Sequence, residues 1–313
     1  MRAVTIVEGQ LSVAEHPDPQ AGTGEVLVRV RSAGLNAADL LQVQGLYPPP
    51  ADAPPDIPGL ELAGEVLDLG PKCSRFEVGD WVMAVVGGGA QAELAVVHER
   101  LAMPVPAGLG LLLAGGFPEA FTTAHDALFT QCDLQMGERV LVHGAAGGVG
   151  TAAVQLASAV GARVTATVRN PDLQDAVAEL SGARVLAPDE FAERGPYDVI
   201  LELVGAPNME ANLRALGTGG RIAVIGVGAG GRAELDLFTL MQRRGRIHGS
   251  TLRARPLEQK ADAARRVEAS VLPLVEAGLV TVPLSESFPL EQAATAYERF
   301  AAGGKLGKLV LEL

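Results

Sequence analysis

The spacing of apolar residues changes once along the chain, near residue 117. Before this point, short runs such as Glu25–Ala33 alternate apolar and polar residues, and turn residues separate the runs at intervals of roughly ten. Alternation with a period of two predicts half-buried β-strands. A helix is predicted at Asn36–Gln44, with Asn36 as its N-cap. The first part of the chain therefore predicts a small, partly open β-barrel.

From Phe117 onward, apolar strands alternate with segments whose apolar residues recur at helical spacing. Six strands are predicted, at Val140–Val142, Arg163–Val168, Arg184–Leu186, Asp198–Val204, Arg221–Gly226 and Arg246–Thr251. This alternation predicts an α/β fold, a doubly wound Rossmann domain with a six-stranded parallel sheet of order 3-2-1-4-5-6. A helix is predicted ahead of these strands, at Glu119–Leu128. Beyond them, the pattern predicts a long helical stretch at 257–278, a helix at Glu291–Ala302 and a strand at Leu306–Leu313.

A glycine-rich turn at Gly144–Gly150 follows the first of these strands, and a helical pattern begins within it. Its small residues form the pattern Ala145-x-Gly147-x-x-Gly150, with Ala145 in the place usually held by the first glycine. Small residues let a backbone approach a pyrophosphate closely, and a helix N-terminus offers free N–H groups and a positive dipole end. The turn therefore predicts a dinucleotide site. The alternative is a strand–helix turn without a ligand.

The residues after the second strand bear on which dinucleotide binds. An NAD site usually carries Asp or Glu roughly 20 residues after the glycines, to accept the ribose 2′-hydroxyl. That place holds Thr-Val-Arg-Asn at 167–170, and the first carboxylate is Asp172. Arg169 can instead pair with a 2′-phosphate. NADPH is therefore the predicted cofactor, and the alternative for Arg169 is an ordinary solvated arginine.

Composition and charge exclude several other classes of protein. With 313 residues, 48% of them apolar, the chain is long enough for two domains. Its formal net charge of −12 gives no electrostatic footprint for nucleic acid or an anionic membrane. Cys73 and Cys132 form no Cys-x-x-Cys pair, and no apolar run is long enough to span a bilayer. We therefore expect a cytoplasmic protein without a signal peptide.

Several segments resemble the medium-chain dehydrogenase/reductase superfamily in its quinone oxidoreductase branch, over nearly the whole chain. They are Gly34–Asp39, Pro58–Gly64, Val78–Asp80, His143–Gly150 and Gly307–Val310. Three further segments, Gln44–Pro50, Gly87–Ala92 and Pro118–Ala120, are similar to the p53-inducible quinone oxidoreductase subgroup. The chain departs from these relatives at Pro188–Pro196, where they carry a fuller segment.

This resemblance implies a GroES-like barrel domain built from both ends of the chain, residues 1–116 and 257–313, with a Rossmann domain at 117–256 inserted between them. It also implies where NADPH binds. The implied cofactor contacts are Tyr47, Thr123, Ala146, Gly147, Gly148, Val149, Gly226, Val227, Thr251, Leu252 and Arg253, in addition to Arg169. The glycines from Gly226 to Gly231 suit a mobile flap over the nicotinamide, with a surface loop as the alternative.

Zinc-dependent alcohol dehydrogenases share the implied fold, so the metal ligands bear on the chemistry. By resemblance, those enzymes hold zinc through a cysteine and a histidine, in whose neighbourhoods this chain has Leu35 and Leu60. Leucine has no lone pair to offer a metal, and the four-cysteine structural zinc lobe is missing. His143, at a buried strand end, is predicted to be a hydrogen-bonded core histidine. We therefore predict no metal site.

The resemblance and the missing zinc ligands together predict an NADPH-dependent reductase of quinones. Tyr47 is the predicted hydrogen-bond donor to the acceptor, because the matching tyrosine of relatives lies by the nicotinamide; the alternatives are a cofactor clamp and an exposed loop aromatic. Asn36 and Thr123 are the other candidate catalytic residues, with a helix cap and a plain helix residue as their alternatives. Two other functions stay open, an enone or alkenal double-bond reductase and an NADPH-binding protein with vestigial activity. Relatives also imply a homodimer that pairs the sixth strand, Arg246–Thr251, edge to edge.

Overall fold

The computed structural model describes all residues from Met1 to Leu313. The chain forms two compact units. The barrel unit consists of Met1–Thr122 and Leu252–Leu313, and the Rossmann unit consists of Thr123–Thr251. The predicted domain limits, at 116/117 and 256/257, lie a few residues away from these boundaries.

The secondary structure consists of fifteen strands and ten α-helices. In chain order the first elements are β1 (Arg2–Val7), β2 (Gln10–Glu15), β3 (Glu25–Gly34), α1 (Ala37–Val43), β4 (Glu61–Leu69), β5 (Trp81–Val85), β6 (Leu94–His98), β7 (Ala102–Pro104), α2 (Leu111–Ala114), α3 (Pro118–His125), β8 (Arg139–Val142), α4 (Gly148–Ala159) and β9 (Arg163–Thr167). They are followed by α5 (Gln174–Ser181), β10 (Arg184–Leu186), β11 (Tyr197–Glu202), α6 (Met209–Ala215), β12 (Leu216–Val224), α7 (Leu237–Arg243), β13 (Arg246–Gly249), α8 (Leu257–Ser270), α9 (Leu272–Glu276), β14 (Leu284–Pro289), α10 (Ala293–Ala302) and β15 (Lys308–Glu312). None of the helices is both long and apolar enough to cross a membrane.

The strands of the barrel unit form a seven-stranded sheet and a separate hairpin of β1 and β2. The sheet has the order β14-β15-β3-β4-β5-β7, and β6 pairs with β3 beside this path. Strand β15 comes from the C-terminal end of the sequence and pairs antiparallel with β3, so both ends of the sequence build one sheet. Along β3, Val26, Val28 and Val30 are buried while Arg29 and Arg31 are exposed. This pattern confirms the predicted alternation.

The Rossmann unit contains a six-stranded sheet whose strands are all parallel. Its order is β10-β9-β8-β11-β12-β13. Numbered within the unit, this is 3-2-1-4-5-6, the order expected of a doubly wound fold. Val140, Leu141 and Val142 of the central strand β8 are fully buried, as expected for a parallel strand covered on both faces. Strand β13 ends the sheet, so one of its edges has no neighbour within the unit.

Three elements differ from the sequence prediction. The stretch at 257–278 is divided at Val271 into α8 and α9, because Pro273 has no N–H to continue the helical hydrogen bonds. The helix predicted at Glu119–Leu128 ends at His125 and continues as a π-helical turn over Asp126–Gln131. Strand β12 begins at Leu216, earlier than the predicted Arg221.

Candidate active site

The glycine-rich turn joins β8 to α4 at the carboxyl end of the parallel sheet. Gly147 is the N-cap of α4, and the first hydrogen bond of the helix runs from the Thr151 N–H to the Gly147 carbonyl at 2.8 Å. The N–H groups of residues 148–150 therefore have no acceptor within the helix and are available to a ligand. A Cβ at Gly150 would lie 2.4 Å from the Gly144 carbonyl oxygen, so this position requires glycine. The turn fits a dinucleotide pyrophosphate.

A buried polar cluster fixes the loops at this edge of the sheet. Glu202, at the end of β11, accepts hydrogen bonds from the N–H groups of Val204 and Gly205, both at 2.7 Å. Its other oxygen accepts from Asn212 Nδ2 at 2.7 Å, and Asn212 Oδ1 lies 2.8 Å from His143 Nε2. Burial lowers the pKa of His143, although the Glu202 carboxylate opposes the shift. His143 is therefore a neutral, hydrogen-bonded core histidine, and its partners Glu202 and Asn212 were missed from the sequence.

Arg169 lies just beyond the carboxyl end of β9, the strand next to β8. Its side chain is exposed and has no hydrogen-bond or ion-pair partner within the chain. The carboxylate that follows it, Asp172, belongs to a turn capped by Asn170, whose side chain accepts from the Asp172 N–H at 3.1 Å. A free guanidinium thus stands where a Rossmann fold places the adenosine ribose.

The loop after β12 carries the next predicted contacts. The Gly226 N–H donates to the Glu202 carbonyl at 3.1 Å, and a Cβ at Gly226 would lie 2.4 Å from the Leu203 carbonyl oxygen. Val227 is half exposed, and Thr251 is exposed just beyond β13. The Rossmann unit therefore brings the glycine-rich turn, including Ala146, together with these residues at the carboxyl edge of its sheet.

Tyr47 lies in the barrel unit, shortly after α1 and at the start of the proline-rich loop. Its N–H donates to the Leu41 carbonyl at 3.2 Å, whereas its hydroxyl has no partner within the chain. Burial raises the pKa of the half-buried hydroxyl, against the opposing effect of the Arg253 guanidinium. The phenol is therefore neutral at physiological pH and its proton is free to be donated.

The run Thr251–Arg253 connects the two units along the chain. Leu252 and Arg253 are buried, and the Arg253 guanidinium makes its hydrogen bonds inside the barrel unit. The Arg253 side chain is therefore engaged within the barrel unit. The run 251–253 can still offer its backbone to a cofactor. Thr123, the third candidate catalytic residue, is half-buried in α3, where the barrel unit gives way to the Rossmann unit.

Asn36 belongs to a buried charge network in the barrel unit. Lys308 Nζ donates to Asn36 Oδ1 at 2.7 Å, to Glu61 Oε1 at 2.5 Å and to the Leu35 carbonyl at 2.9 Å. Asn36 Nδ2 donates to the same Glu61 oxygen at 2.9 Å, and the other Glu61 oxygen accepts from the Glu119 N–H at 2.9 Å. The Asn36 amide is therefore committed to this network, which the sequence did not reveal.

Asp39 lies beside the network in the first turn of α1. Its two oxygens accept from the N–H groups of Asn36 at 2.8 Å and Gly59 at 3.2 Å, so Asn36 begins α1 as predicted. Burial raises the pKa of Asp39 to about 7, in opposition to these hydrogen bonds and to the Lys308 charge. Asp39 thus holds a proton in the folded protein below about pH 7.

The residues around Glu61 do not fit a zinc ion. Leu35 and Leu60 are buried and offer no lone pair, and the Glu61 carboxylate already has Lys308 as its cationic partner. No group of three His, Cys, Asp or Glu side chains in the chain could hold a metal ion. A dinucleotide, by contrast, fits the turn at 144–150, where free N–H groups and a required glycine coincide.

The chain matches two protein families over different residues. Residues 22–107 match the family described as alcohol dehydrogenase GroES-like domain, and residues 148–269 match the family described as zinc-binding dehydrogenase. The chain is 32% identical over 312 residues to the quinone oxidoreductase of Mus musculus, covering 95% of this chain and 91% of that protein. It is 31% identical over 349 residues to the acryloyl-coenzyme A reductase of Metallosphaera sedula, covering 99% of both.

Another relative is matched over only part of its own length, and two solved structures resemble this one. The chain is 33% identical over 317 residues to the spectinabilin polyketide synthase system protein NorB of Streptomyces orinoci, but spans 14% of that protein's length. A mycobacterial protein solved in complex with NADPH superposes with a TM-score of 0.90 at 26% identity, covering 100% of both chains. A thermostable alcohol dehydrogenase from Pyrobaculum aerophilum gives a TM-score of 0.87 at 30% identity, covering 100% of this chain and 99% of the other.

Proposed function

This chain belongs to the medium-chain dehydrogenase/reductase superfamily, in its zinc-independent quinone oxidoreductase branch, and from that premise we propose that it reduces quinones with NADPH and without a metal ion. Members of this superfamily are nicotinamide-dependent oxidoreductases. The observation that carries the proposal is the pairing of Glu61 with Lys308 beside Leu35 and Leu60. Zinc enzymes of the superfamily hold a metal ion in this neighbourhood, where this chain has the ammonium group of Lys308.

The chemistry follows from that replacement. Bound NADPH supplies a hydride. Alcohol oxidation is harder without a Lewis acid that stabilises an alkoxide, and the residues around Glu61 do not offer the ligands for one. A quinone takes the hydride and delocalises the resulting negative charge onto its own oxygen atoms, and one proton then completes the hydroquinone. The protein has to position both reactants, exclude water and offer a hydrogen bond to the developing anion.

The proposed roles rest on the resemblance to relatives and on which groups lie free in each unit. The backbone of 146–149 would contact the pyrophosphate, with the N–H groups of Gly148 and Val149 as free donors, and Arg169 would pair with the 2′-phosphate. Along the nicotinamide, the proposed contacts are the backbone of Gly226, Val227, Thr251, Leu252 and Arg253, together with Thr123. Tyr47 donates its free hydroxyl proton in a hydrogen bond to the acceptor oxygen. Asn36, whose Nδ2 already donates to Glu61, shapes the wall of the site instead of acting as a donor.

A double-bond reductase is the second candidate function. It is favoured by the full-length similarity to a protein named acryloyl-coenzyme A reductase. The same residues serve this reaction, since hydride addition to an enone also places negative charge on a carbonyl oxygen. The difference is that the product needs a proton at carbon. A third candidate, an NADPH-binding protein with vestigial activity, would bind the cofactor without turnover.

An assay of NADPH oxidation, run with protein whose metal content has been measured, separates these functions. The panel contains quinones, enones, alkenals and acyl-coenzyme A thioesters with a conjugated double bond, and alcohols are tested with NADP⁺. We expect turnover with quinones that persists after treatment with chelators, and none with alcohols. Faster turnover with enones or thioesters would favour the double-bond reductase. NADPH binding without turnover on any acceptor would leave the vestigial protein.

We also propose a homodimer through the outer edge of the Rossmann sheet. Strand β13 has one unpaired edge, and an unpaired edge invites pairing with a second strand. The neighbouring helix α7 exposes Leu237, Phe238 and Met241 to 65%, 67% and 72%. A two-fold axis beside β13 would pair the two edges and cover these apolar side chains. The molecular mass in solution tests the dimer.

A further inference from the structure

Arg253 is the only buried arginine of the chain, with 5% of its surface exposed. Its Nε donates to the Gly87 carbonyl at 2.7 Å, its Nη1 to the Tyr47 carbonyl at 3.0 Å and its Nη2 to Gln42 Oε1 at 2.5 Å. All three acceptors are neutral oxygen atoms. They belong to three separate segments of the barrel unit, namely α1, the start of the proline-rich loop and the connection after β5.

No carboxylate pairs with this guanidinium. Asp39 and Glu119 act on it only through space, without an ion pair. A buried cation usually has an acidic partner, because transferring an unpaired charge out of water is costly. The positive charge of Arg253 therefore has no ion-pair partner inside the barrel unit, and its field acts on the groups that lie beside it.

The group beside it is the ring of Tyr47. The guanidinium carbon lies 5.1 Å from the centroid of that ring, within the range of a cation–π contact. The same guanidinium binds the Tyr47 carbonyl, so the tyrosine is held at both its backbone and its ring. The neighbouring loop is packed tightly as well, since a Cβ at Gly87 would lie 2.8 Å from Pro50 Cγ.

We propose that Arg253 is a positioning residue for the reaction, which fixes the Tyr47 phenol and places a positive charge without an ion-pair partner against its ring. This inference rests on the proposed function, in which Tyr47 donates to the acceptor oxygen. As negative charge develops on that oxygen, the donated proton shifts toward it and the phenol oxygen gains negative charge. A fixed cation beside the ring stabilises that redistribution without touching the substrate.

Two variants separate the charge of Arg253 from its hydrogen bonds. Arg253→Lys keeps a positive charge but cannot reach all three acceptors in the geometry of a guanidinium fork. Arg253→Gln keeps amide donors and removes the charge. Arg265→Met is the control, because Arg265 also bonds a backbone carbonyl of the barrel unit, that of Ala102, but has Glu268 as its acidic partner.

The first readout is the ionisation of Tyr47, followed by the ultraviolet absorption of tyrosinate after rapid mixing to alkaline pH. The chain has three tyrosines, so each variant is compared with the same variant carrying Tyr47→Phe. We expect the Tyr47 midpoint to rise in Arg253→Gln and to stay near the wild-type value in Arg253→Lys and Arg265→Met. This measurement needs no substrate, and it therefore remains valid even if the proposed function is wrong.

The second readout is steady-state turnover with the best acceptor of the wild type. Loss of the charge should lower kcat roughly tenfold, as for a lost hydrogen bond to a charged group, and should change the KM for NADPH little. Arg253→Lys should recover part of that loss. Equal midpoints of Tyr47 in the wild type and Arg253→Gln, or equal losses of kcat in both variants, would overturn the proposal. If Arg253→Gln does not fold, a raised Tyr47 midpoint in Arg253→Lys contradicts it.

Discussion

Replacement of Lys308 by methionine removes the cation of the network that occupies the zinc neighbourhood. The Lys308 and Glu61 side chains are 4% and 0% exposed, and the ammonium donates to three oxygen atoms. Methionine keeps the apolar stem but leaves the Glu61 carboxylate buried without a cation. Breaking a buried pair in this way costs about 3–5 kcal/mol. That is a large part of the roughly 5–15 kcal/mol by which folded proteins are stable.

Urea unfolding of wild type and variants measures this cost. We expect the free energy of unfolding to fall by about 3–5 kcal/mol in Lys308→Met, with an unchanged denaturant slope. Lys305→Met is the matched control, because Lys305 lies 4.2 Å above the Phe300 ring without an acidic partner and should lose less than about 1 kcal/mol.

The double variant Lys308→Met with Glu61→Leu completes the test. It removes both charges, so it should recover part of the loss, although Glu61→Leu also removes the acceptor of Asn36 Nδ2 and of the Glu119 N–H. A single variant as stable as the wild type, or a double variant no more stable than the single one, would refute the reasoning.

Four other predictions concern cofactor binding, assembly and pH. Gly150→Ala forces α4 away from the turn, because its Cβ would lie 2.4 Å from a backbone oxygen, and NADPH affinity in a fluorescence titration should fall at least roughly tenfold. Arg169→Ala should erase most of a preference for NADPH over NADH that we expect to be roughly tenfold or more in kcat/KM, and equal use of both cofactors by the wild type would contradict the assignment. Phe238→Asp combined with Met241→Asp should yield monomers in sedimentation experiments, whereas a wild type that is already monomeric would contradict the proposed dimer. Asp39 holds its proton up to about pH 7 in the folded state but only to about 3.8 when unfolded, so the folded state binds more protons between these values. Stability should therefore fall as pH rises from about 4 to about 7, and unfolding curves of Asp39→Asn should lack that slope.

The individual strands and helices were predictable because their determinants are local. The alternation along β3 and the apolar run of β8 follow from the burial that each strand has in its sheet. The strand order of the Rossmann sheet followed from the number of strands and their interleaved helices. The predictions that were wrong concerned details set by single residues, such as Pro273, which divides the helical stretch at 257–278.

The candidate site was predictable only where its chemistry lies in one short segment. The turn at 144–150 was predictable from its glycines. The ion pair of Glu61 with Lys308 was not predictable, because its members lie 247 residues apart and neither residue stands out alone. Arg253 was expected to contact the cofactor, and nothing in its neighbours in sequence indicated that its side chain binds Tyr47. Such roles depend on tertiary contacts between segments that the sequence pattern does not connect.

Hydride transfer itself gives the most direct test of the central claim. The measurement is the rate of quinone reduction by metal-analysed protein, using NADPH that carries either hydrogen or deuterium at the transferred position. We predict one hydroquinone formed per NADPH oxidised, a slower rate with deuterium, and no dependence on added or removed zinc. Tight NADPH binding with no quinone reduction, or activity that disappears with the removal of a stoichiometric metal, would contradict the account.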